Sequence, residues 1–109
     1  MNKTEANLAA AELRGYKTRI GKTPTAQFVQ VLKGGYLWRT FDIFADTPQG
    51  KADLLKTVKA LGEKHGVSMV RCGSVWSWEQ DRDGRERGGK AYDTYEEAVA
   101  SAVLAVKEG

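Results

Sequence analysis

The sequence predicts an α+β fold: an antiparallel sheet of about four strands, built from two β-hairpins, with helices packed on one face in the order α-ββα-ββα. Three observations predict it. Apolar residues recur at helical spacing in three windows, 4–14, 47–65 and 94–108. Gly34-Gly35 and Asp83-Gly84 lie between strand-like segments and are two-residue turn signals. No Gly/Ser/Pro-rich linker divides the 109 residues, a length that supplies one core and one domain, 1–109.

In the first window, Ala6, Ala9, Ala10, Leu13 and Tyr16 form one stripe, with Thr4 as cap and Gly15 as stop. An alanine stripe buries little area. Residues 1–24 are therefore expected to be a loosely docked helix followed by a polar connector, KTRIGKTP.

Residues 25–44 are expected to be the first hairpin. A Gly34-Gly35 turn sets Leu32 against Leu37, Gln30 against Arg39, Phe28 against Phe41 and Ala26 against Ile43 on the core face. Val31, Val29, Tyr36 and Trp38 then face away from the core. Left uncovered, they would make an apolar patch of the kind that marks a partner site. Tyr36 and Trp38 are thus a secondary partner-binding candidate.

Thr47 and Pro48 start the second helix, and Gly66 stops it. Its stripe is Leu54, Leu55, Val58, Leu61, Gly62 and His65. Residues 67–78 read as one strand with a bulge at Gly73, and residues 88–92 return from the Asp83-Gly84 tip. That register sets Trp78 against Gly89, Trp76 against Ala91 and Val75 against Tyr92. The third helix opens on the capping box Thr94 to Glu97 and carries Tyr95, Ala98, Val99, Ala102, Val103 and Val106 on one stripe, with Leu104 off it.

Composition narrows the function classes. With 41% hydrophobic and 28% charged residues, the chain is expected to fold and not to be disordered. No apolar run is long enough for a membrane span, and the N-terminus lacks the apolar stretch of a signal peptide. One cysteine and one histidine leave no internal disulfide, closed Cys/His zinc site or iron–sulfur cluster. The net charge is +3. Residues 1–24 hold five cations against two acids, residues 51–66 four against two, and residues 93–109 one against four. A solvated mixed surface explains this pattern, and a nucleic-acid footprint is compatible with it.

No catalytic constellation is evident. Cys72 reads as a small buried strand residue and His65 as a cation at a helix end, with no third group to orient a pair. Gly21-Lys22-Thr23 matches the end of a phosphate-loop pattern, but Tyr16 stands where its first glycine belongs. Asp81 and Asp83 lack the further ligands of a calcium loop. No cofactor and no metal are expected.

The informative segment is 76–92, which gathers Trp76, Trp78, Arg82, Arg85, Arg87, Lys90 and Tyr92. These residue types dominate protein hot spots and also stack on bases and neutralise phosphates. Trp76 and Trp78 fall on one strand face, so at least one of them is expected in the core.

The size, the hairpin–helix plan and the ending GGKAYDTYEEAVASAVLAV resemble small accessory proteins of bacteriophages and mobile elements, including anti-CRISPR inhibitors. The resemblance implies a bacterial cytoplasm and a role in binding a host protein or ribonucleoprotein complex. Many such inhibitors are acidic mimics of nucleic acid, whereas this chain is basic. The expectation is a non-enzymatic protein-binding module. The alternative is a nucleic-acid-binding protein that uses the basic, Trp-flanked hairpin, with no membrane partner in either case.

Overall fold

The computed structural model describes residues 2–82, 85–88 and 90–109, and for Arg82 and residues 85–88 it describes the backbone. The chain is α+β, with three helices and two small antiparallel sheets. The order is α1 (Lys3–Leu13), β1 (Thr18–Lys22), β2 (Gln27–Lys33), β3 (Leu37–Phe41), α2 (Pro48–His65), β4 (Val67–Cys72), β5 (Val75–Arg82), β6 (Arg85–Gly88) and α3 (Tyr95–Glu108). The single four-stranded sheet is therefore corrected to two sheets, β1-β2-β3 and β4-β5-β6.

Two segments account for the difference. The polar connector contains β1, which pairs with β2 from Thr18 opposite Val31 to Lys22 opposite Gln27. Polarity hid it, because β1 is an edge strand and leaves most of its side chains in water. The presumed single strand 67–78 is two strands, folded at Gly73-Ser74 with Cys72 opposite Val75. Gly73, at φ 62°, is a turn residue and not a bulge.

In the first hairpin, Lys33 pairs with Leu37, so the turn holds three residues, Gly34, Gly35 and Tyr36. The expected register slips by one residue. With a side-chain period of two, that slip turns β2 over. Val29 and Val31 are buried with Phe41 and Ile43, while Phe28, Gln30 and Leu32 look outward. The second hairpin pairs Arg82 with Arg85 and Glu79 with Gly88; its Asp83-Gly84 tip lies outside the described residues. Farther back, Trp76 bridges to Tyr92 and not to Ala91. From residue 88 to 92 is four steps and from 79 to 76 is three, so the returning chain carries one extra residue.

Helix α1 is capped by Asn2 Oδ1, which accepts from the Glu5 amide at 3.2 Å. It packs against β2, α2 and α3. Its Ala6, Ala9, Ala10 and Ala11 are buried. Alanine buries little area of its own, but its small size lets neighbouring backbones come close. In α2, Thr47 caps the start through its hydroxyl and Gly66 ends the helix in the left-handed region. Its buried stripe is Gly50, Asp53, Leu54, Thr57 and Leu61, rotated from the expected one, and Leu55 is exposed. The stripe of α3 follows expectation, with Ala98, Val99, Ala102 and Val103 buried. No helix among the described residues is long and apolar enough to cross a membrane.

Candidate binding surface

The first sheet has a covered face and an open one. Helix α1 packs on the face of Val29, Val31 and Phe41. Across the other face run Arg19, Gln30 and Thr40, directly paired on β1, β2 and β3. Beside them lie Phe28, opposite Gly21, and Leu32, opposite Trp38. Arg19 and Thr40 are exposed, and Phe28, Gln30, Leu32 and Trp38 are half-buried.

Arg19 is held in place. Its Nε donates to Gln30 Oε1 at 2.7 Å, and its guanidinium lies 4.2 Å from the Trp38 ring centroid. A cation–π contact of this kind orients the charge and leaves its outer side in water. The Phe28 ring lies so close over Gly21 that a Cβ there would meet it at 2.4 Å. Glycine is thus what lets the ring lie flat on the sheet.

Behind the sheet, charge is neutralised internally. Asp53 accepts from Arg39 Nη1 and Nη2 at 2.9 and 3.0 Å, from Arg14 Nη1 at 3.1 Å and from Gln49 Nε2 at 3.2 Å. The Arg39 to Asp53 hydrogen bond makes the guanidinium harder still to deprotonate, against the opposing effect of burial. The expected pairing of Arg39 with Gln30 on the core face is corrected, because the two lie on opposite faces. Arg39 turns inward to Asp53, and Gln30 turns outward to Arg19.

The sequence-predicted candidates separate. Trp78 is 3% exposed and belongs to the core, with its indole N–H donating to Ser101 Oγ at 3.2 Å. The Tyr92 hydroxyl lies 2.6 Å from the same Ser101 Oγ. Trp76 is half-buried and meets Tyr95 edge-on at 4.8 Å between centroids. Strand alternation thus places the aromatic members of the second hairpin toward α3. Lys90 is exposed. The side chains of Arg82, Arg85 and Arg87 lie outside those described. Tyr36 stands at the tip of the first hairpin, 80% exposed, and Trp38 lies on the open face.

Charge separates the two hairpins as well. Residues 17–44 hold Lys17, Arg19, Lys22, Lys33 and Arg39 against Asp42 alone, a net of +4. Residues 75–92 hold four cations against four acids, a net of zero. With Arg39 paired to Asp53, residues 17–44 keep Lys17, Arg19, Lys22 and Lys33 against Asp42, an excess that the second hairpin lacks. The sequence contained this signal, and dividing the chain at residue 24 split it.

His65 ends α2 and Cys72 ends β4, with the whole of Val67–Cys72, about 17 Å at strand rise, between them. Cys72 is exposed and not buried as expected, because it ends β4 at the turn. Among the described residues no group of three or more His, Cys, Asp or Glu side chains is placed to hold a metal ion. A cleft of about 390 Å³ lies between Lys3, Phe44, Thr94, Glu96 and Glu97; its two acids set it apart from the basic sheet. Comparison with protein-family models finds no match, and neither the curated proteins nor the solved structures contain a significant one.

Proposed function

We propose that the protein is a non-enzymatic nucleic-acid-binding module whose ligand lies on the open face of the first sheet. The excess of cations in residues 17–44, with Lys17 and Arg19 on the open face, carries this reading. A polyanion releases counterions when such a surface meets its phosphates, and Lys17 and Arg19 supply exposed cations on the open face for that exchange. The inward turn of Trp78 supports it from the other side, since a buried ring cannot anchor a partner at the second hairpin.

A second reading, a protein-binding module such as an inhibitor of a host complex, rests on the first hairpin tip. There Tyr36 and Leu37 are 80% and 60% exposed, and such protruding apolar groups suit a protein pocket. One titration separates the two. Binding of the full chain to a mixed pool of DNA and RNA is measured against salt. The nucleic-acid reading expects log affinity to fall linearly with log salt, and the slope to shrink by about 0.9 when a phosphate contact is removed with Lys17. An absence of binding to every nucleic acid in the pool would discard it in favour of the protein reading.

A further inference from the structure

We infer that the open face of the first sheet takes duplex DNA, entering the major groove so that Arg19, Gln30 and Thr40 meet base edges. This rests on the nucleic-acid reading above and names the form of the ligand. The outer strand axes lie about 10 Å apart, so the side chains of the central row can converge on a groove roughly 12 Å wide. Arg19, Gln30 and Thr40 form one polar row straight across that span. Arginine, glutamine and threonine are the types whose donors and acceptors match guanine, adenine and either base respectively.

Arg19 and Gln30 hold each other at 2.7 Å, so the row is organised before any ligand arrives. Lys17, whose carbonyl accepts from the Leu32 amide, is exposed and by strand alternation shares the face of Arg19. Its long stem can follow a phosphate beside the row, whereas Lys22 and Lys33 fall on the face of Val29 and Val31.

The aromatic groups favour a duplex over a single strand. Single-strand platforms offer free ring faces to unstacked bases. Here Arg19 already lies over Trp38, and the Phe28 ring lies on Gly21. The exposed members of the row, Arg19 and Thr40, are hydrogen-bonding groups. DNA is favoured over duplex RNA because the A-form major groove is too deep and narrow for side chains to read.

The test uses the full chain and three probes: a random-sequence pool of duplex DNA, the same pool as single strands, and a duplex RNA pool. Duplex DNA is expected to bind on the order of 10-fold tighter than either other probe. Repeated selection from it is expected to yield a short recurring sequence. Gln30→Ala and Arg19→Lys, the second of which keeps the charge, are each expected to lower affinity for that sequence about 10-fold more than for the unselected pool. Single strands or duplex RNA binding as tightly as duplex DNA would overturn the groove assignment and leave the nucleic-acid reading standing. So would a selected preference that survives both substitutions. Failure of all three probes would remove the nucleic-acid reading itself.

Discussion

Arg39 on β3 and Asp53 on α2 form a two-pronged ion pair, 2.9 and 3.0 Å, across the interior behind the first sheet. Asp53 is 1% exposed. Arg14, at the C-cap of α1, joins it at 3.1 Å, so one carboxylate ties together a helix end, a strand and a second helix. Desolvating this carboxylate is costly, and the four hydrogen bonds it accepts offset that cost. Asp53→Ala would leave two guanidinium groups facing each other without a counter-charge. The expected loss is about 3 kcal/mol of unfolding free energy, the low end for breaking a buried pair because both arginines retain some solvent contact. Urea unfolding measures it. A loss under about 0.5 kcal/mol, the usual size of surface effects, would show that the pair is dispensable.

Leu61 and Leu55 provide an internal comparison on α2. Leu61 is fully buried and Leu55 is 62% exposed. Leu61→Ala is expected to cost about 2–5 kcal/mol, through lost burial and the cavity left behind. Leu55→Ala is expected to stay within about 0.5 kcal/mol. Equal losses from the two would mean that the helix is rotated from the face described.

That rotation shows where sequence reading succeeds on this chain and where it stops. Apolar spacing located all three helices, and the caps Thr47 and Thr94 and the stop Gly66 were legible because their chemistry is local. Asp53 and Thr57 were not legible as buried residues. An aspartate is buried only when partners far away in sequence hold it, here residues 14 and 39. The open face was missed for a similar reason. One extra turn residue, Tyr36, decided which side of β2 looks outward, and both registers gave chemically sensible pairs.

Gly66 and Gly34 both adopt positive φ, 66° and 64°, and are expected to differ on substitution. A Cβ at Gly66 would lie 2.5 Å from the Asp81 carbonyl oxygen, whereas Gly34 faces open space. Asparagine tolerates the left-handed region, so Gly34→Asn should be close to neutral. Gly66→Asn relieves the dihedral problem but still forces apart α2 and β5, and should lower stability by about 1–3 kcal/mol. Thermal unfolding of both variants tests this, with similar midpoints as the outcome against it.

Tyr95 links stability to alkaline pH. Burial, then the neighbouring Glu96 charge, pushes its hydroxyl above the ordinary tyrosine value of about 10. The folded state therefore binds the proton more tightly than the unfolded one. The stabilisation is fully present below the unfolded value and is lost as pH rises through the raised folded value. Stability of the parent should fall above about pH 10, and Tyr95→Phe should remove part of that fall while keeping the ring against Trp76. Identical pH profiles for the two proteins would contradict the assignment.

Arg19 and Trp78 separate binding from folding, and so compare the two hairpins directly. Trp78 lies in the core with its N–H on Ser101. Trp78→Phe shrinks a buried side chain and removes that hydrogen bond, at an expected cost of about 1–3 kcal/mol of stability. Its ring reaches no open surface, so nucleic-acid affinity of the folded fraction should not change. Arg19 has the opposite profile. It is exposed, and its contact with Trp38 is of the kind that contributes about 0.5–1 kcal/mol at an open site. Arg19→Ala should therefore cost no more than about 1 kcal/mol of stability and weaken binding about 10-fold, with a shallower salt dependence. Both quantities come from one purified pair: a denaturation curve and an anisotropy titration on labelled DNA, run at a temperature where Trp78→Phe remains folded. If Trp78→Phe loses binding and Arg19→Ala keeps it, the ligand lies on the second hairpin, and the open face of the first sheet is only a solvated surface.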